Sequence, residues 1–143
     1  MSESNGSTGT PDGPEAQEEA RLVELAGRIF GAARAGDAGA LEAFLAGGAP
    51  VDLANEGGDT LLMLASYHGH AEAVSVLLAR GADPNKANDR GQTPLAGTVF
   101  KGHDAVLDEL LAAGADPHAG QPSAFATAQM FQKSEVLAKF GRA

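Results

Sequence analysis

A segment that occurs twice, at positions 60 and 93, is the feature that most constrains how this chain can fold. TLLMLASYHGHAEAVSVLLARGADPN, residues 60–85, aligns with TPLAGTVFKGHDAVLDELLAAGADPH, residues 93–118, and the Gly-His, Leu-Leu and Gly-Ala-Asp-Pro letters coincide. Weaker copies precede and follow, as FGAARAGDAGALEAFLAGGAPVD from Phe30 and SAFATAQMFQKSEVLAKF from Ser123. A repeat of about 33 residues predicts a solenoid, because each unit buries its apolar face only against its neighbours.

Each unit predicts two antiparallel helices. Thr60 and Thr93 suit the N-cap of the first helix, where a hydroxyl accepts a hydrogen bond from an otherwise unpaired amide. Gly69 and Gly102 interrupt the chain between the two helices. The second helix has apolar residues along one face and ends at a glycine such as Gly81, where a left-handed cap is most easily formed.

The N-terminal part of the chain divides at Pro14. Residues 1–13 are mostly small, polar and acidic, which predicts a disordered tail. From Pro14 onward, apolar residues follow a helical spacing, and this pattern predicts a helix with one apolar face. The residues of that face are Leu22, Leu25, Ala26, Ile29 and Ala33.

These motifs resemble the ankyrin repeat. The motifs of that family are formed here by Gly58, Thr60, Leu62, Gly69, His70, Leu77, Leu78, Gly81 and Asp83. They occur again over residues 91–116, and the resemblance extends over about residues 22–141. It implies an all-α ankyrin solenoid of four helix-turn-helix units that are joined by short hairpin loops.

The first and last units depart from the family pattern. Gly27 stands at the threonine position, Gln132 stands at the glycine position between the helices, and the hairpin before Ser123 is short. Such departures suit terminal caps, because a cap faces solvent on one side. We expect one repeat domain over residues 14–143. Its four units have these expected bounds: about 14–54, 55–87, 88–119 and 120–141.

Two positions at the end of the first helix differ between units, and the resemblance implies that they face a concave groove for a partner. The four units place these pairs there: Arg34 and Ala35, Tyr67 and His68, Phe100 and Lys101, and Met130 and Phe131. Three of the chain's seven aromatic residues thus share one column with cations, a combination typical of binding hot spots. Alternatively, Phe100, Met130 and Phe131 only fill space beside small neighbours.

Two further features bear on this groove. Arg90 at a hairpin tip can form a bidentate bond to a carboxylate, and we include it among the predicted binding residues. Gly97 stands where the family motif usually has Leu, and Gly31 has the same position in the first unit. Glycine inside a helix costs about 1 kcal/mol relative to alanine, so a close approach should offset that cost. Alternatively, Phe100 itself fills the space.

The histidines of the repeated Gly-His pairs are expected to be structural. The resemblance implies that His70 and His103 bond to the backbone of the neighbouring unit. His68 and His70 form a His-x-His pair, which could also suit zinc or copper. Because Gly69 breaks the helix between them, we expect the two rings to diverge. The sequence places no third ligand nearby, so we predict no metal site.

Charge and composition narrow the class of partner. The formal net charge of −9 disfavours binding to nucleic acid or to an anionic membrane. The chain has no cysteine, no secretory signal pattern and no apolar run of about 20 residues, so we expect a cytoplasmic protein. The cations of the column make the groove more positive than the rest of the protein. We therefore expect a monomer that binds another protein through an acidic or apolar patch.

No motif predicts an enzyme, because nucleophile elbows, phosphate-binding glycine loops and His-Glu-x-x-His helices are all missing from the sequence. We therefore expect a non-enzymatic protein-binding adaptor without a cofactor. An alternative rests on similarity to small bacterial ankyrin proteins, some of which accompany catalases and assist haem loading or oxidative-stress defence. Tyr67 or His68 would then be an axial haem ligand, with Phe100 and Met130 packed on the porphyrin.

Overall fold

The computed structural model describes residues 13–141, and in that range the chain forms eight α-helices and no β-strand. The helices have these bounds: α1 Pro14–Ala35, α2 Ala38–Ala46, α3 Leu61–Tyr67, α4 Ala71–Ala79, α5 Pro94–Lys101, α6 Asp104–Ala112, α7 Ala124–Met130 and α8 Ser134–Gly141. The predicted tail of residues 1–13 lies outside the described residues, except for Gly13. No helix in the described part of the chain has the length and apolarity needed to cross a membrane.

The helices stack in two layers. In the inner layer α3 packs between α1 and α5, and α5 packs between α3 and α7. Each inner helix also packs against the helix that follows it, and α4 packs between α2 and α6 in the outer layer. The fully buried leucines of the core are Leu41, Leu61, Leu62, Leu77, Leu95, Leu107 and Leu110. The predicted all-α solenoid of four units is confirmed.

A side-chain cap begins each inner helix after the first. Thr60 Oγ1 accepts a hydrogen bond from the amide three residues later at 3.0 Å, and Thr93 Oγ1 does the same at 3.2 Å. Ser123 Oγ caps α7 at 3.0 Å in the same way. The predicted role of the two threonines is confirmed. Because the caps fix where these helices begin, they also set which side chains the helices present at their ends.

A Gly-His joint fastens each central unit to the unit before it. His103 Nε2 lies 3.1 Å from the carbonyl oxygen of Tyr67, and His70 Nε2 lies 2.7 Å from that of Arg34. The His103 ring also covers Gly69, whose φ is +77°, and a Cβ on Gly69 would lie 2.6 Å from the ring. Both the backbone and the neighbouring ring therefore require glycine. The predicted structural role of His70 and His103 is confirmed.

The last unit keeps this joint with different residues. Gln132 stands in the glycine position with a φ of +56°, a region that costs a non-glycine residue about 1–2 kcal/mol. Lys133 Nζ donates to the carbonyl oxygen of Val99 at 2.8 Å, in the place of a histidine. The unit forms both of its helices, α7 and α8, despite its short hairpin.

The N-terminal half of α1 is largely exposed. α1 runs through Gly27 without a turn, so the first unit has one long helix here. Burial begins at Ile29, whereas Leu22 and Leu25 are 55% and 38% exposed. The predicted helix is confirmed, and its apolar face is exposed at Leu22 and Leu25, because no other described element covers it there.

Candidate functional site

An open groove of about 550 Å³ lies where the inner helices of three units end, beside the hairpin loops. Its lining residues are Asp59, Met63, Leu64, Tyr67, His68, Arg90, Gln92, Ala96, Gly97, Phe100, Pro122, Thr127, Met130 and Phe131. Stacking brings these residues together, because equivalent positions of successive units form a row. Six of the eight predicted binding residues line this groove: Tyr67, His68, Arg90, Phe100, Met130 and Phe131.

Four exposed apolar side chains line the groove together, and we call them the apolar patch. They are Tyr67, Phe100, Met130 and Phe131, with exposed fractions of 37%, 58%, 67% and 48%. The Phe100 and Phe131 rings lie 5.9 Å apart between their centroids, with a tilt of 59°. Contiguous exposed apolar side chains are typical of interaction sites, whereas scattered ones need no explanation.

Gly97 forms part of the floor of the groove. A Cβ at this position would lie 3.5 Å from Tyr67 Cδ1 and 4.0 Å from Met63 Cε. Side chains of the preceding unit therefore cover this glycine, and the alternative that Phe100 fills the space is wrong. At Gly31, by contrast, a Cβ would meet nothing within 4 Å, so the expected close approach does not occur there.

Three basic residues, which we call the cationic rim, stand at one end of the groove. They are Arg34, His68 and Lys101, of which only His68 lines the groove itself. Arg34 belongs to the first unit, outside the three that form the groove, and Lys101 Nζ lies 5.1 Å from the centroid of the Tyr67 ring. Burial lowers the pKa of His68 from its ordinary 6.5, and four nearby positive groups lower it further: His70, Lys101, Arg34 and His103.

Hairpin residues form the side of the groove opposite the helix ends. Asn88 Nδ2 donates to Asp59 Oδ1 and to Gln92 Oε1, both at 2.8 Å, and the bond to Asp59 ties two successive hairpins together. Arg90 lies on the same loop as Gln92 and lines the groove. Among the lining residues Asp59 is the one carboxylate and Arg90 the one arginine or lysine, so the excess positive charge comes from Arg34 and Lys101 beside the groove.

The rings of His68 and His70 do not diverge. Their centroids lie 6.2 Å apart with an angle of 30° between the planes, so the expectation that Gly69 separates them is wrong. The turn at Gly69 brings both rings to the same side. His70 Nε2 is already bonded to the carbonyl oxygen of Arg34. Within residues 13–141, no three His, Cys, Asp or Glu side chains are grouped so that they could hold a metal ion.

Several lining residues were not predicted from the sequence. Met63, Ala96 and Thr127 each stand one helical turn before a predicted residue of the same helix. Helical spacing could have found them, because residues three or four apart share a face. Asp59 and Pro122 belong to hairpin loops, and the repeat spacing gives no signal for which loop residues turn toward the groove.

Comparison with known proteins agrees with this architecture. A family model of ankyrin repeats, in three copies, matches residues 29–121. The chain belongs to the ankyrin repeat family. The match begins at Ile29, the residue at which burial of α1 begins, so the exposed half of α1 lies outside it. Ankyrin repeats generally mediate protein–protein interaction and are typically binding modules rather than enzymes.

A bacterial relative shares part of this ankyrin repeat region. The ankyrin repeat protein PA3287 of Pseudomonas aeruginosa is 46% identical over 59 residues, which is 41% of this chain and 34% of the relative. The match therefore spans about a third of the relative's length.

Proposed function

We propose that this ankyrin repeat chain is a non-enzymatic adaptor whose groove binds a segment of another protein. The observation that carries the proposal is the apolar patch, in which Tyr67, Phe100, Met130 and Phe131 are exposed together in one groove. Covering such a patch removes apolar area from water, and each Å² contributes about 25 cal/mol. Aromatic residues in a concave site are also the residue type most often found at binding hot spots.

The charges beside the apolar patch favour an acidic or apolar partner. The chain as a whole carries a formal charge of −9, which repels an acidic protein at long range. The cationic rim has the opposite sign, so an acidic segment is attracted to this part of the surface in particular. A basic segment would face repulsion at the rim, and like charges placed together across an interface suppress wrong partners.

Partner capture with two matched variants tests this proposal. Phe100→Ala removes an exposed apolar side chain inside the groove, and Val23→Ala removes one on α1 outside it. The protein is used as bait in a lysate of its native cell, and mass spectrometry identifies what it retains. We expect Phe100→Ala to weaken binding of the captured protein by about 2 kcal/mol, roughly 30-fold. Val23→Ala should bind like wild type.

Equal capture by wild type, Tyr67→Ala and Phe100→Ala would show that the apolar patch is not the binding site. Circular dichroism of each variant separates lost binding from lost folding. Both aromatic side chains are more than a third exposed, so we expect both variants to remain folded.

Haem binding, as an accessory function in oxidative-stress defence, is a second candidate that His68 favours. Among the described residues the His68 side chain forms no hydrogen bond, and its lowered pKa keeps the imidazole neutral at pH 7. Neutral imidazole is the form that ligates iron, and His68 shares the groove with the apolar patch. Titration with hemin tests this: we expect a Soret shift that disappears in His68→Ala or Tyr67→Ala. An unchanged spectrum would exclude the candidate.

A further inference from the structure

We infer that Arg34, His68 and Lys101 form a carboxylate-binding subsite at one end of the groove. The partner segment then places an acidic side chain at this subsite and a bulky apolar side chain on the neighbouring apolar patch. The inference rests on the proposed function, because it assigns the chemistry of the segment that the groove would bind. The expected occupant of the groove is therefore a protein segment that carries both acidic and apolar side chains.

The three cationic side chains come from three successive inner helices. Arg34 lies in the last turn of α1, His68 caps the C-terminal end of α3, and Lys101 lies in the last turn of α5. Stacking of the units places these ends in one row. His70 Nε2 lies 2.7 Å from the carbonyl oxygen of Arg34, and the His70 ring lies 6.2 Å from that of His68, so Arg34 stands beside His68 in this row.

The cationic rim has no acidic partner in the described part of the chain. The ion pairs within residues 13–141 lie elsewhere and are Arg21–Glu18, Arg80–Glu42 and Lys139–Asp108. The sequence has 19 acidic residues and only 10 Lys and Arg, so a basic residue can easily meet an acid. A row of basic residues without one therefore leaves a positive potential that an incoming carboxylate can neutralise.

A simpler role for these cations is to complement helix dipoles, since positive charge is favourable at a helix C-terminus. That role accounts for Arg34 and Lys101 one at a time. It does not account for His68 beside them, because the charges of Arg34 and Lys101 oppose protonation of its ring. An anion bound among them offsets that effect.

The apolar patch begins where the cationic rim ends. The Tyr67 ring of the patch lies 5.5 Å from the His68 ring and 5.1 Å from Lys101 Nζ. Phe100 precedes Lys101 in the chain, and its ring lies 5.9 Å from that of Phe131. A segment that reaches both surfaces therefore needs its acidic and apolar side chains close together in sequence.

Proton uptake on binding follows from this arrangement. The groups that face His68 are positive or can become positive: Arg34, His70, Lys101 and His103. Together with burial they lower the pKa of His68, so the ring is mostly neutral at pH 7. A bound carboxylate raises that pKa again, and linkage then makes binding tighter as the pH falls from above this raised pKa toward the lowered pKa of the free ring. The partner's carboxylates stay ionised down to about pH 5.

Selection from a random peptide display library against the folded protein tests the inference. We expect enriched peptides to carry Asp or Glu within a few residues of Leu, Ile, Met, Phe or Trp. The best peptide is then synthesised, labelled and titrated by fluorescence anisotropy at pH 7.5 and pH 5.5. Its affinity should rise at the lower pH for wild type and rise less for His68→Gln.

Two double variants that remove equal charge sharpen the test. Arg34→Gln with Lys101→Gln neutralises the cationic rim, whereas Arg28→Gln with Lys86→Gln removes two exposed charges that neither line the groove nor act on His68. We expect the first pair to weaken the peptide about tenfold, as for a lost charge-assisted contact, and the second to leave affinity unchanged.

The outcomes separate the subsite from the groove. The subsite would be overturned if the enriched peptides lacked acidic residues, or if both double variants weakened binding equally. The groove would remain the binding site in that case, provided that Phe100→Ala still lowered the affinity. If Phe100→Ala bound the peptide like wild type, or if no peptide were enriched, the proposed function would fail as well.

Discussion

The central joint, which His103 makes, and the last joint, which Lys133 makes, fasten neighbouring units by different chemistry. At the central joint Gly102, with φ of +79°, precedes His103, whose ring covers Gly69 and bonds to the preceding unit's carbonyl oxygen. At the last joint a glutamine adopts φ of +56°, and Lys133 makes the bond instead. Both joints therefore use a left-handed residue followed by a hydrogen-bond donor. Glycine and histidine fill these two positions in one joint, and glutamine and lysine fill them in the other.

The largest expected effect is at Gly69. Gly69→Ala should lower the free energy of unfolding by about 3 kcal/mol, because the left-handed backbone is strained and the new Cβ would displace the His103 ring. Gly81→Ala is the matched control, because Gly81 has a φ of +91° but a Cβ there would meet nothing within 4 Å. This variant should lower the free energy of unfolding by only about 1–2 kcal/mol. Urea unfolding measures both, and equal losses would contradict the role of the ring.

Removing the two donors compares the joints directly. His103→Ala should lower the free energy of unfolding by about 1–2 kcal/mol, because it removes a hydrogen bond and the cover of Gly69. Lys133→Ala should lower it by about 0.5–1 kcal/mol, since only the hydrogen bond is lost. If the lysine variant were the less stable of the two in urea, the histidine ring would not be the stronger fastening.

The smallest effect is a gain at the last joint. Gln132→Gly should relieve the left-handed strain and raise the free energy of unfolding by up to about 1 kcal/mol, as the greater freedom of glycine in the unfolded chain offsets part of the gain. Gln129→Gly, inside α7, should instead lower the free energy of unfolding by about 1 kcal/mol. Thermal unfolding by circular dichroism distinguishes the signs, and a lower Tm for Gln132→Gly would show that this backbone is not strained.

The repeat spacing predicted the parts of the fold that depend on local chemistry and on an identical neighbour. Thr60 and Thr93 cap helices by bonds within four residues, so the sequence contains all of the information needed. The role of His70 and His103 recurs in each central unit, and the family resemblance identifies it. The row of groove residues was predicted for the same reason, because equivalent positions in stacked units share a surface.

Sequence reasoning went wrong or fell short where the outcome depends on what lies beside a residue in space. Leu22 and Leu25 have the helical spacing of an apolar face, but spacing does not reveal whether a neighbour covers it. The cover over Gly97 comes from Tyr67 of the preceding unit, and this contact depends on a side-chain rotamer that the repeat pattern does not specify. Which hairpin residues turn toward the groove is likewise a property of loop conformation.

The joints have a consequence for how tightly the groove can hold a partner. His103 anchors the carbonyl of Tyr67, and Lys133 anchors the carbonyl of Val99, the residue before Phe100. The main chain that carries these aromatic side chains is thus held in position by the next unit along the stack. A preorganised surface of this kind needs to restrict only side-chain rotamers on association, at about 0.5–1.5 kcal/mol each, so that even a short peptide can be retained by few contacts.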